Sequence, residues 1–264
     1  MLDYRGKVVW ITGASSGIGE GLAYEFARQG ARLVLSARRA DVLESVRQKC
    51  VNAELHFVLP IDMTDTDSLA GKVDAVLTQC GHIDVLINNA GVSQRSLVKD
   101  TDLSVDRRIM EVDFFGPVAL TKAVLPHMLT RGSGQLAVVS SVAGLVATPY
   151  RSTYAAAKHA IAGFYDALRA EVHDSGVRVS VIYPGFVRSN VSLSALTGTG
   201  DAHGQLDDQQ ATAMSSDEFA LKAVAALAGE EERIIIAGKE KLAVWLGRLS
   251  PGLLSKVIRK VKVT

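Results

Sequence analysis

Tyr154 and Lys158 close the run Tyr154-Ala155-Ala156-Ala157-Lys158, a four-residue spacing that puts a phenol and an ammonium on one face of a helix. A free phenol titrates near ~10 and is a poor base at neutral pH. A neighbouring cation favours the phenolate. At about 4 Å and an effective dielectric of ~20 the attraction is on the order of 4 kcal/mol, enough to lower the pKa by ~3 units. A phenol tuned in this way can pass a proton to and from an oxygen that alternates between carbonyl and alcohol. Tyr-x-x-x-Lys is also common on ordinary amphipathic helices, so its surroundings decide. Thirteen residues earlier, Val138-Val139-Ser140-Ser141-Val142-Ala143-Gly144 ends an apolar run and offers the hydroxyl of Ser141.

A second chemical feature lies near the start of the chain, in Thr12-Gly13-Ala14-Ser15-Ser16-Gly17-Ile18-Gly19. It follows a β-branched run and opens a helical one. Glycines there let the backbone turn tightly and approach a pyrophosphate without Cβ clashes. The helix that follows aims its free N–H groups and positive dipole end at the same anion.

These residues need a frame, and the pattern of apolar runs supplies one. Strands are expected at Val8–Thr12, Leu33–Ser36, Glu54–Leu59, Val85–Asn88, Gly134–Ser140, Val177–Tyr183 and Arg233–Ala237. Helices are expected near 17–29, 40–51, 66–80, 104–128, 153–174 and 216–228. Several strands are apolar on both faces, as happens when helices cover both sides of a parallel sheet. The alternation predicts an α/β fold: a single doubly wound domain over 1–264, with seven parallel strands and helices on both faces. With 48% apolar residues, the chain can bury a core without disulfides or metals. Cys50 and Cys80 form no framework, and the six histidines show no ligand spacing, so no metal site is expected. A net charge of +1 argues against nucleic acid as a partner. Neither a signal peptide nor a membrane span is apparent, which leads to a cytoplasmic reading.

The spacing Thr-Gly-x-x-x-Gly-x-Gly, together with Ser141, Tyr154 and Lys158, resembles the signature of the short-chain dehydrogenase/reductases. The resemblance covers nearly the whole chain and implies a nicotinamide-dependent oxidoreductase. It assigns Ser141 to hydrogen-bond the reacting oxygen, Tyr154 to exchange its proton, and Lys158 to tune the phenol and hold the ribose. It places the cofactor against Thr12, Gly13, Ser15, Ser16, Gly17, Ile18 and Gly19. Asp62 and Met63 match the position that meets the adenine. Asn89, Ala90 and Gly91, in Asn88-Asn89-Ala90-Gly91, match the motif beside the adenosine ribose. Pro184, Gly185, Val187 and Ser189 match the nicotinamide-side turn. The family commonly carries Asn on the preceding helix, where this chain has Asp113 in Glu111-Val112-Asp113-Phe114-Phe115. In relatives that residue belongs to a kinked helix and a water-linked proton path to the lysine. Asp keeps the carbonyl but loses the amide donor. The substitution is compatible with a retained or a weakened relay, so two functions stay open: an active enzyme, or an attenuated cofactor-binding regulator or scaffold.

At the end of the second strand, Val34-Leu35-Ser36-Ala37-Arg38-Arg39, the slot that is acidic in NAD-preferring relatives is Ala37. Arg38 and Arg39 follow. A guanidinium binds phosphate by paired charge-assisted bonds, and loss of the repelling carboxylate counts as much as gain of the cation. NADP(H) is therefore expected over NAD(H). Residues 184–215 should form the substrate loop, with room for one short helix. Val146, Pro149, Phe186, Leu193 and Leu196 are candidate apolar walls, suited to a hydrophobic ketone, aldehyde, or steroid- or lipid-like alcohol. Residues 239–264 form a basic amphipathic tail, which would pack on its own domain or make a weak peripheral membrane contact. The stretch Val191–Asp201 and the Leu-Ser-Pro-Gly-Leu-Leu of 249–254 are similar to the member 7/7B branch of the family. By the same resemblance, the helices at 104–128 and 153–174 are faces of a homodimer or homotetramer.

Overall fold

The computed structural model describes residues 1–189, 191–207 and 213–259. Seven strands form one sheet: β1 (Val8–Thr12), β2 (Arg32–Ser36), β3 (Phe57–Val58), β4 (Val85–Asn88), β5 (Gly134–Val139), β6 (Val177–Pro184) and β7 (Arg233–Ile236). Their spatial order is β3-β2-β1-β4-β5-β6-β7, and every pairing is parallel. Strand order reverses between β1 and β4. The carboxyl ends of these two strands therefore open into a crevice, the usual place for a ligand in such sheets.

Helices cover both faces because successive strand residues point to opposite sides. Val9 and Ile11 face one core, shared with α1 (Gly17–Arg28), α2 (Ala40–Lys49) and α7 (Ser216–Ala228). Val8 and Trp10 face the other, with α3 (Leu69–Cys80), α5 (Gly116–Arg131) and α6 (Ser152–Glu171). Buried Trp10 satisfies its indole N–H on Ser36 Oγ at 2.9 Å. Two short helices, α8 (Glu240–Leu249) and α9 (Pro251–Ile258), follow β7.

Two elements depart from the sequence reading. The strand expected over Glu54–Leu59 shrinks to Phe57 and Val58, since Ala53–Leu55 forms a 3-10 turn entered through Asn52 at φ 57°. His56 Nδ1 there accepts the Leu33 amide at 3.2 Å, so a side chain stands where a ladder carbonyl would. The helix expected over 104–128 is interrupted. It runs as α4 (Leu103–Met110), then a π-helical turn over Glu111–Phe115, then α5. Such a turn inserts an extra residue into the helix and is often found at functional sites. Here it carries Asp113, which is 1% exposed.

Candidate active site

The glycine-rich turn lies between β1 and α1, at the crevice. Gly13 and Gly17 have φ of 66° and 57°, a region in which Cβ-bearing residues are strained. A Cβ on Gly19 would stand 2.2 Å from the Gly13 carbonyl oxygen. The loop is pinned to β4 by its own polar groups. Thr12 Oγ1 accepts from the Asn89 and Ala90 amides at 3.0 and 3.1 Å, and Asn89 Nδ2 donates to the Thr12 and Gly13 carbonyls at 3.0 and 3.2 Å. Asn88 points into the core, donating to Thr121 Oγ1 and Tyr165 Oη. Ser16 heads α1 but makes no side-chain cap. The first N–H groups of the helix thus keep their donors for an outside acceptor, and the turn is shaped to let that acceptor approach the backbone closely. These features fit a pyrophosphate.

Ser15 and Ile18 are half-buried beside the turn. Arg38 and Arg39 are exposed just past β2, and Arg39 immediately precedes α2. Arg38 forms no salt bridge among the described residues, although its charge is felt at Asp62. Asp62 closes a turn on the Thr64 amide and hydroxyl at 3.0 and 2.8 Å. Those bonds, led by the backbone N–H, hold its carboxyl below the usual value. Met63 is buried, with its carbonyl against Gly116. On the opposite side, Gly185 donates to the Ile236 carbonyl at 2.9 Å. Val187 forms a bridge with Met214. Ser189 lies so near Gly17 that a Cβ there would meet Ser189 Cβ at 2.9 Å. The turn after Pro184 and the glycine turn are thereby brought together, as the sequence motifs require.

The catalytic candidates gather at the carboxyl ends of β4 and β5. Ser140 Oγ donates to the Lys158 carbonyl at 2.8 Å, tying β5 to α6. Ser141 is half-buried, and its Oγ accepts from the Ala143 amide at 3.1 Å. The Lys158 ammonium lies 5.7 Å from the centre of the half-buried Tyr154 ring. It donates to the Val139 carbonyl at 3.1 Å and forms an ion pair with Asp113 Oδ2 at 3.0 Å. Asp113 Oδ1 accepts the Val92 amide at 2.7 Å. Gly91 leaves room for this pair, since a Cβ there would stand 3.1 Å from the carboxylate and 3.2 Å from the ammonium. Burial pushes the Asp113 carboxyl upward, and Lys158 opposes that shift. For Lys158, burial alone would lower the pKa. The Asp113 carboxylate and the Tyr154 phenol outweigh it and hold the amine above its ordinary value. Asp113 and Lys158 thus support each other's charge across a 3.0 Å contact.

Residues 7–197 match the sequence model of the short chain dehydrogenase family. The chain belongs to that family. As a short-chain dehydrogenase it is an oxidoreductase of a class that uses nicotinamide cofactors. It is 44% identical over 265 residues to a dehydrogenase/reductase SDR family protein 7-like of Anopheles gambiae, covering 97% of this chain and 83% of that one. It is 42% identical over 262 residues to the dehydrogenase/reductase SDR family member 7B of Bos taurus, covering 96% and 81%. A solved short-chain dehydrogenase from Streptomyces avermitilis superposes with a TM-score of 0.83 at 27% identity, covering 99% of this chain and all of that one.

Around the site of this short-chain dehydrogenase, the sequence reading overlooked a polar knot. Asp207 is buried between two guanidinium groups. Arg95 pairs with it through Nη2 and through Nε at 3.2 Å, and Arg151 through Nη2 at 3.1 Å. Arg151, whose pKa burial lowers to about 10, also stands 5.4 Å over the Phe186 ring. Gln94 Oε1 accepts the Thr153 amide at 2.9 Å at the start of α6. The available signal was Ser93-Gln94-Arg95-Ser96, a polar run separated from the end of β4 by four residues. Its partner, Asp207, lay in a loop with no periodicity to place it. Two of the candidate pocket walls are buried in apolar clusters. Val146 packs against Val142 and Val244, and Leu196 against Val105, Ile109 and Ala157. Phe186 is half-buried below Arg151. Among the described residues, the segment expected as a substrate loop consists of turns and isolated bridges. Asn190 and residues 208–212 lie outside them.

Proposed function

We propose that this short-chain dehydrogenase is NADP(H)-dependent and moves a hydride between the nicotinamide and a carbonyl or secondary alcohol of hydrophobic character, such as a ketone, an aldehyde, or a steroid- or lipid-like compound. The observation that carries the reading is the buried Lys158 ammonium 5.7 Å from the Tyr154 ring, at the crevice where the uncapped glycine turn ends β1. The bound cofactor supplies or accepts the hydride. Tyr154 moves the proton at the substrate oxygen, Ser141 donates a hydrogen bond to that oxygen, and Lys158 stabilises the phenolate. Ala37 leaves the adenosine end without a repelling carboxylate, while exposed Arg38 and Arg39 offer charge-assisted bonds to a 2′-phosphate. We read the chain as one domain with a substrate loop over 184–215. We place it in the cytoplasm as a homodimer or homotetramer, and exposed Phe115 on the helical face before α5 supports such an assembly.

Tyr154→Phe is the direct test. It should bind NADPH as tightly as the wild type and lose turnover on a panel of diketones, quinones, aldehydes, steroids and acyl ketones. Retained turnover removes Tyr154 from the mechanism. The Asp113–Lys158 ion pair at 3.0 Å favours a second reading, an attenuated cofactor-binding regulator or scaffold. Tight NADPH binding with no turnover on the panel, in the wild type and in Asp113→Asn alike, would select it.

A further inference from the structure

The last two helices pack with only half of their apolar surface. On the inner side, Val244, Leu254 and Ile258 join Val142 and Val146, in the segment that follows Ser141. On the outer side, Leu242 is 73% exposed, Trp245 60%, Leu249 81%, Leu253 50% and Val257 44%. Steps of three and four residues along α8, and of four along α9, place them on one face of each helix.

The charge on the same helices is one-sided. Lys241, Arg248, Lys256 and Arg259 are all exposed. Of the chain's 29 basic and 28 acidic residues, six basic and no acidic ones fall in 241–264, so residues 1–240 carry a net −5. A second copy meeting this face across a two-fold axis would set like charges against like. An anionic bilayer meets it with opposite charge and covers the apolar side chains as well. Trp245, with Arg248 at 5.8 Å from its ring, is a residue type enriched at the water–lipid boundary. No helix among the described residues is long and apolar enough to cross a membrane, so the fitting geometry is a helix pair lying in the headgroup plane.

We propose that the outer face of α8 and α9 docks the protein onto an anionic lipid surface. The helices that carry this face pack beside the turn after β6 and the segment after Ser141. Glu240, the first residue of α8, accepts the Phe186 amide at 2.9 Å, and Val146 lies beneath Val244. The proposal does not depend on the hydride chemistry above, because lipid binding is read without turnover.

The test is cosedimentation of the full chain with phosphatidylcholine vesicles, with and without phosphatidylserine. Binding should require phosphatidylserine and weaken as salt is raised. Arg248→Ser with Lys256→Ser should lower the partition coefficient about 25-fold, each cation near such a surface being worth about fivefold. Trp245→Glu with Leu249→Glu should abolish binding. Both pairs should keep the wild-type circular dichroism and melting temperature, since the altered side chains are exposed. No binding to phosphatidylserine vesicles, or binding unchanged in both variants, overturns the proposal. So does light scattering that shows a dimer which the Trp245→Glu, Leu249→Glu variant dissociates.

Discussion

Replacing Asp113 with Asn removes one charge from a buried pair and keeps its shape. In the native protein the carboxylate and the ammonium are 3.0 Å apart, with 0% and 6% of their side chains exposed. Their attraction is about 5.5 kcal/mol at an effective dielectric of ~20. The same ammonium faces the Tyr154 ring, whose centre is 5.7 Å away, and an unopposed charge there would favour the phenolate. Asp113 offsets much of that effect. In Asp113→Asn the Val139 carbonyl still accepts from the ammonium, and the opposing charge is gone. The phenolate is favoured, so the ascending limb of the pH profile for NADP+-dependent alcohol oxidation should move down by about 1–2 units. Turnover at neutral pH should rise only about 3- to 10-fold, because a less basic phenolate gives up part of what its larger population adds. Stripping a buried ion of its partner costs about 3–5 kcal/mol, so the variant should melt lower while working faster. A limb that stays put, or moves up, refutes the electrostatic reasoning. A purely structural role for Asp113 would lower stability and rate together.

Arg38→Asp should weaken NADPH binding about 100-fold and improve NADH use, a charged hydrogen bond being worth about 1.5–3 kcal/mol. Steady-state kinetics with both cofactors checks this, and unchanged NADPH affinity rejects the assignment. Gly19→Ala should lower NADPH affinity at least about tenfold in a fluorescence titration, because its Cβ would stand 2.2 Å from the Gly13 carbonyl oxygen and force the turn to move. Asp84 gives a pH-dependent test of stability. Burial raises its carboxyl pKa, but the Val8 amide at 2.8 Å and the charges of Arg131, His82 and Lys7 outweigh burial and hold it below the usual value. Its contribution is therefore complete above the ordinary carboxyl pKa of ~3.9 and fades as pH falls through the lower folded value. Asp84→Asn should cost about 1–2 kcal/mol in urea unfolding at neutral pH and much less in acid. An equal loss at both pH values would contradict the assignment.

Strands buried on both faces were legible in the sequence because their runs have no polar interruption. Val8–Thr12 and Val85–Asn88 have the expected limits. The edge strand was overread, because Glu54–Leu59 carries strand-like residues while the left-handed Asn52 turn and the His56 side chain that shorten it are set by tertiary contacts. Motif spacing placed the glycine turn and the Tyr154–Lys158 pair, since both are local. Asp113 stood out as a departure from the family's Asn. The direct ion pair with Lys158 was not legible, because it depends on a π-helical turn rotating one side chain inward. The tail was posed as packing or lipid contact. Its helices pack on one face and leave the other open, a division that composition alone does not reveal.

Asp207 is held by Arg95 and Arg151, and Leu196 is hydrogen-bonded on both sides to Ser93 and Arg95. Both ends of 197–206 are therefore moored to one short piece of chain, and the cost of closing a loop rises slowly with its length. Insertions or deletions between the moorings would reshape this loop while leaving the register of Ser141, Tyr154 and Lys158 untouched. About ten residues can thus vary without renegotiating the rest of the fold.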